Sequence, residues 1–227
     1  MVHGLRSFAD PGRGGRRLGY LQYVPPAARA DPTRRWPLIL FLHGSGERGR
    51  DARVLTRHGI PRVVEESRGD LPFIALAPQC PPASAWPPHL LALEALLADA
   101  LDALPVDPAR LYLTGISMGG EGAWHLGARN PHRFAAVVPI CGYGLPAYGF
   151  PAKVCALKDT PVWTFHGARD TIVRPAATVA LVETLRGCGG DVRLTIYPDA
   201  DHDSWTRTYA NPEVYEWLLA QRLRARG

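Results

Sequence analysis

Five residues near the middle of the chain, Gly115-Ile116-Ser117-Met118-Gly119, have the form G-x-S-x-G. A serine hydroxyl is a weak nucleophile until a base takes its proton, and the base needs an acid to orient it. The pattern gains meaning from its context. It follows the apolar run RLYLT (110–114) and precedes a stretch with helical spacing, so Ser117 is expected on a strand–turn–helix elbow. Flanking glycines let the backbone pass close to its neighbours, and a helix N-terminus turns amides toward developing negative charge. Elbows of this kind take their partners in the chain order Ser, Asp, His. Asp170 follows the apolar run PVWTFHG (161–167), and His202 follows DVRLTIYP (191–198). Each stands just past the end of an expected strand, so all three fall at one edge of a sheet. Asp199, Asp201 and Asp203 are too close in sequence to His202 to orient it easily. His166, four residues before Asp170, is expected to be packed, and His43 to brace a turn.

A second stretch is chemically ambiguous. LILFLHGSGERGR (38–50) is an apolar run that ends in glycines, and Gly44 to Gly49 spell G-x-G-x-x-G. That spelling can cradle a pyrophosphate, but it needs a helix at its second or third glycine and an acid about 20 residues on, at the end of the next strand. Here Gly49 is followed by RDARVLTRHGIP, polar and soon broken by Gly59 and Pro61, while Glu65 and Glu66 precede the next apolar run instead of ending it. The same turn can serve as one half of an oxyanion hole, and this reading is favoured. Asp199-x-Asp201-x-Asp203 imitates a calcium loop, but Ser204 and Ala210 stand where glycine and glutamate are required. No metal and no cofactor are expected.

These residues must be positioned by a framework, and the chain alternates between two patterns. Strands are expected at 17–24, 37–44, 72–79, 110–117, 134–141, 161–167 and 191–198. Helices are expected at 89–104, near 119–129, at 175–188 and at 211–225, the last opened by Asn211 and Pro212. Asp107-Pro108 reads as a turn. Near-continuous apolar strands alternating with helices predict an α/β domain over residues 1–227, with a mainly parallel sheet covered by helices on both faces. Residues 143–160 form the longest aperiodic stretch, of the kind that shapes substrate sites.

Composition agrees with one ordinary globular domain: 227 residues, 46% apolar and 21% charged. The net charge of +5 is spread along the chain, with RGGRR (13–17) and RLRAR (222–226) as the local clusters, so nucleic acid is not an expected partner. The N-terminus lacks an apolar leader core, and no segment approaches the ~20 apolar residues that span a bilayer. A cytoplasmic protein with reduced thiols is expected, not bound to membrane, although a Cys141–Cys155 bridge stays open.

The ordered set LFLHGSGERG (40–49), APQCP (77–81), DPARLYLTGISMGGEGAWHLGARNPHRF (107–134), FHGARDTIV (165–173) and HDSWTRTY (202–209) resembles the α/β-hydrolase superfamily. Within it, the chain resembles the small bacterial branch of carboxylesterases, phospholipase-like proteins and prolyl-oligopeptidase-type peptidases. The resemblance implies an α/β-hydrolase fold without a large cap domain. It implies Ser117, Asp170 and His202 as the triad, with the backbone amides of Ser45 and Met118 as the oxyanion hole. Dienelactone hydrolases proper have a cysteine where this chain has Ser117. The expected substrate is a small carboxylic ester with a short-chain or aromatic acyl group. A peptidase or aminoacyl amidase of the same fold, and a non-catalytic binding protein, remain as alternatives. Trp205, Tyr143, Tyr148 and Phe150 are candidate substrate contacts; Trp86 and Trp124 are weaker candidates, and Trp124, in the helix after Ser117, is expected to be core.

Overall fold

The structure is a computed structural model that describes residues 4–11, 16–31, 33–68 and 71–223. Its strands are β1 (Gly4–Asp10), β2 (Arg16–Tyr23), β3 (Trp36–Leu42), β4 (Ile74–Pro78), β5 (Val106–Ile116), β6 (Ala136–Ile140), β7 (Val162–Gly167) and β8 (Val192–Tyr197). They form one sheet in the order β1-β2-β4-β3-β5-β6-β7-β8. β1 and β2 pair antiparallel, as do β2 and β4, and every other pairing is parallel. The helices are α1 (Pro26–Ala30), α2 (Gly59–Glu66), α3 (Leu90–Ala103), α4 (Met118–Arg129), α5 (Pro175–Gly187), α6 (Trp205–Tyr209) and α7 (Pro212–Ala220).

The central strands read as unbroken apolar runs because both of their faces are covered. Every residue of β3, β4 and β6 is buried. Successive side chains alternate between two cores. Leu38, Leu40 and Leu42 pack with α3, α4 and α5 on one face, while Ile39 and Phe41 pack with α2, α6 and α7 on the other. From β3 the chain goes to β4 on one side, then crosses back past β3 to β5. Loops leaving β3 and β5 therefore diverge, and a crevice opens at the carboxyl ends of these strands.

Several elements differ from the sequence reading. β1 was not expected, because among its residues of described burial, 4–9, only Phe8 is buried, and Leu5 is 60% exposed. Asp107-Pro108 lies inside β5, where the pairing with β3 shifts register between Trp36 and Leu38. The segment after Gly49 forms a 3-10 turn, Ala52–Arg57, and then α2. α7 ends at Ala220, short of the expected residue 225. Residues 13–15 and 224–226 of the two basic clusters lie outside the described residues. Cys141 and Cys155 do not pair. Cys155 is joined to Cys188 by a disulfide, with Cα atoms 5.5 Å apart, which corrects the expectation of reduced thiols; Cys80 and Cys141 are buried and not part of a disulfide. Among the described residues no helix is long and apolar enough to cross a membrane.

Candidate active site

Ser117 lies between β5 and α4 with φ 52° and ψ −116°, a conformation that costs a non-glycine residue energy and needs surrounding structure to hold it. Its amide donates to the Ile140 carbonyl at 2.9 Å, and its own carbonyl accepts the Glu121 amide at 3.0 Å. The flanking glycines allow this turn to sit tightly against β3. A Cβ on Gly119 would overlap the Leu42 carbonyl, and one on Gly115 would overlap the backbone of Gly119.

Asp170 follows β7 and His202 follows β8, so both stand at the same sheet edge as Ser117. His202 Nε2 is 2.9 Å from Ser117 Oγ, and His202 Nδ1 is 2.7 Å from Asp170 Oδ2. An ionised Asp170 accepts the Nδ1 proton, which leaves Nε2 free to accept the serine proton. Burial favours the neutral acid at Asp170. The hydrogen bond from His202 and the amides of Val173 and Ile172, each 2.9 Å from Oδ1, outweigh it and hold the carboxyl below its usual range. The neighbouring aspartates are used elsewhere: Asp199 pairs with Arg207, Asp201 accepts the Asp203 amide, and Asp203 accepts the Thr206 amide.

A second histidine touches the same carboxylate. His166 Nε2 lies 3.1 Å from Asp170 Oδ2 and 2.8 Å from the Val173 carbonyl, and Nδ1 lies 2.8 Å from Thr178 Oγ1. Burial pushes the His166 pKa down against the pull of these oxygens. Nε2 faces two acceptors, and Nδ1 faces the Thr178 hydroxyl, which itself donates to the Gly142 carbonyl at 2.7 Å. Cys141 Sγ also comes within 4.8 Å of ligand atoms of Asp170 and His202. Burial raises this thiol to about 12, so it is protonated and poorly suited to hold a metal beside an occupied Asp–His pair.

A cavity of about 600 Å³ opens beside Ser117; Ser45, Met118, Tyr143, Leu145 and Ile172 are among its lining residues. Met118 begins α4, where the first amides have no intrahelical acceptor, and Ser45 begins the 3-10 turn Ser45–Glu47 after β3. His43 fixes that second turn. Its Nδ1–H donates to the Gly44 carbonyl at 2.5 Å, its Nε2 accepts the Cys80 amide at 2.9 Å, and its carbonyl accepts the Trp86 indole N–H at 3.0 Å. Burial lowers the His43 pKa to about 4, which keeps the ring neutral, as an Nε2 acceptor must be.

Of the four aromatic candidates for substrate contact, Tyr143 alone lines this cavity. Its hydroxyl is hydrogen-bonded to Glu121, a carboxyl buried in α4 whose pKa is raised by that burial. The other three are not among its lining residues. Trp205 stands edge-on to His202 at 5.3 Å and to His58 at 5.7 Å, outside the lining. Phe150 is core, and the exposed Tyr148 packs with it on His125. Glu121 and the lining residue Arg48 were not singled out in sequence, and His166 was expected only to be packed, because their surroundings come from segments distant in the chain. Arg48 alone carried a signal, its place in the glycine turn.

The sequence model of the phospholipase/carboxylesterase family matches residues 87–213. Over 167 residues the chain is 30% identical to the esterase candidate NocK of Nocardia uniformis subsp. tsuyamanensis, covering 70% of this chain and 46% of that protein. Over 83 residues it is 31% identical to acyl-protein thioesterase 1 homolog 2 of Dictyostelium discoideum, covering 36% of each. The chain thus spans less than half the length of these curated relatives. Among solved structures, a thermostable esterase superposes with TM-score 0.80 at 34% identity, covering 97% of this chain and 63% of that one. A ferulic acid esterase of Anaeromyces mucronatus shares the fold, with TM-score 0.74 at 14% identity over 96% of this chain and 90% of that one.

Proposed function

This chain belongs to the phospholipase/carboxylesterase family, and from that membership we propose that it is a serine hydrolase cleaving carboxylic esters through Ser117, His202 and Asp170. The observation that carries the reading is the continuous relay of hydrogen bonds from Ser117 Oγ through His202 to Asp170, at 2.9 and 2.7 Å, opening on the cavity. Ser117 Oγ attacks the ester carbonyl carbon while His202 Nε2 takes its proton. Asp170 holds the Nδ1–H tautomer and stabilises the imidazolium. The carbonyl oxygen, now an oxyanion, is received by the amides of Ser45 and Met118; such a donor is worth roughly 3 kcal/mol in the transition state. His202 then gives its proton to the departing alkoxide. A water, deprotonated by the same imidazole, attacks the acyl-enzyme and releases the acid and Ser117.

The cavity supports a small acyl group, short-chain or aromatic, with Tyr143, Leu145 and Ile172 as apolar surface. The test is labelling with a fluorophosphonate, which reports a serine activated by a base whatever its natural substrate. An adduct on Ser117 that disappears in His202→Ala is expected, together with turnover of simple esters. A folded protein that takes no label would overturn the assignment in favour of a binding role.

A further inference from the structure

The cavity beside Ser117 is polar and cationic on one side and apolar on the other. The sheet order places the loops after β3 and β4 to one side of β5, and the loops after β6 and β7 to the other. The first pair brings Ser45, Arg48 and Ser84 to the cavity; the second brings Leu145, Ile172 and Val173. Leu145 is 42% exposed and Ile172 73% exposed, so apolar surface is presented openly at this rim.

Arg48 is the one charged residue among those described that lines the cavity. Its Nε–H donates to the Ser45 carbonyl at 2.9 Å and its Nη1 donates to the Ser84 carbonyl at 3.1 Å. No carboxylate among the described residues pairs with it. Neighbouring Glu47 is buried and lies 3.9 Å from His43 and 3.7 Å from His58 instead. Two backbone carbonyls therefore hold the guanidinium and leave its remaining N–H groups without a protein acceptor among the described residues. A brace between two loops accounts for the two bonds made. It does not account for a solvent-facing cation without a carboxylate partner among the described residues, set on the wall of the cavity. A planar, pre-oriented fork of donors is suited to an oxyanion, and its side-chain entropy is already largely spent.

We propose that Arg48 selects the substrate by charge: the ester cleaved at Ser117 carries a second, ionised carboxylate on the side facing the loops after β3 and β4. Its apolar portion lies toward Leu145 and Ile172. This rests on the reading of Ser117 as nucleophile.

The test uses two matched pairs of esters. para-Carboxyphenyl acetate against its neutral carboxamide places the charge on the leaving group. Monomethyl adipate against its half-amide places it on the acyl group. The readout is the ratio of kcat/KM for the charged ester to that for its neutral partner, so any disturbance of the loop that slows both esters cancels. In Arg48→Gln this ratio is expected to fall at least about tenfold for one of the two pairs, mainly through KM, with partial recovery in Arg48→Lys. Raising the salt concentration is expected to lower the ratio in the native protein and not in Arg48→Gln. An unchanged ratio in both pairs, with the neutral esters still hydrolysed, would overturn the role of Arg48 and leave the nucleophile standing. Failure to hydrolyse either pair overturns the substrate assignment, and fluorophosphonate labelling of Ser117 then shows whether the nucleophile reading falls with it.

Discussion

At the scale of single residues, the proposed function rests on three atoms: Ser117 Oγ, His202 Nε2 and Asp170 Oδ2. Ser117→Ala keeps the Cβ and so keeps the demands of the turn. It is expected to remove at least about a thousandfold of ester turnover while the thermal midpoint moves little. Turnover near the native level would exclude Ser117 as nucleophile. His166 is a positioning residue in this scheme, because it touches Asp170 and not the reacting atoms. His166→Leu removes a donor to Asp170 and to the Val173 carbonyl, and kcat is expected to drop about tenfold with KM nearly constant. His166→Gln can restore a donor and should recover much of the loss; equal damage in both variants would point to packing alone. The grouping of Ser117, Asp170 and His202 at one sheet edge was legible in sequence because type, chain order and position after an apolar run are local signals. The contact of His166 with Asp170 and of Glu121 with Tyr143 were not. The first depends on the geometry of the loop after β7, the second on α4 meeting the loop after β6.

At the scale of elements, the least legible segment is the one that follows the glycine turn. Gly59 and Pro61 read as breakers, yet they open α2. Gly59 has φ 65°, which brings the chain into the helix, and Pro61 falls within the first turn, where no intrahelical N–H bond is lost. A Cβ on Gly59 would run into the Phe41 ring. Gly59→Ala is therefore expected to cost roughly 2–3 kcal/mol in denaturant unfolding, with the m-value unchanged. A loss below half a kcal/mol would mean that the ring and the backbone both adjust freely. The Asp107-Pro108 pair misled in the opposite direction. Asp107 accepts the Ala109 amide within its own turn-like step, but the strand pairing resumes around it. Local turn chemistry cannot reveal that a partner strand bridges the irregularity.

At the scale of the whole molecule, alternation of apolar runs and helices conveyed the α/β class, whereas the crossing from β4 back to β5 has no sequence signature. Nor does the choice of Cys188 as partner of Cys155, which depends on α5 packing beside the loop that precedes β7. Buried neutral histidines give the fold a pH dependence. His43 and His125 are each lowered by burial to about 4, below the ordinary value of 6.5. The unfolded chain binds these protons first, so their contribution is complete above about pH 6.5 and is lost as pH falls toward about 4. For the fully enclosed His43 the loss is on the order of 3 kcal/mol. Asp170, lowered below its ordinary 3.8, adds a loss of the same sign at more acid pH. Unfolding followed from pH 7 to pH 5 should show a falling midpoint; a flat profile would mean that the rings become solvated before the fold opens. Finally, Ser45, Ser117, Asp170 and His202 follow β3, β5, β7 and β8 in turn, and the three parallel strands that follow β5 in the sheet are also the last to be made. A chain emerging from a ribosome holds a serine long before it holds the base, and the base arrives only after β8 has its edge to dock against. With the proposed triad, the nascent chain is therefore chemically silent, and esterolysis can begin only once β8 has docked.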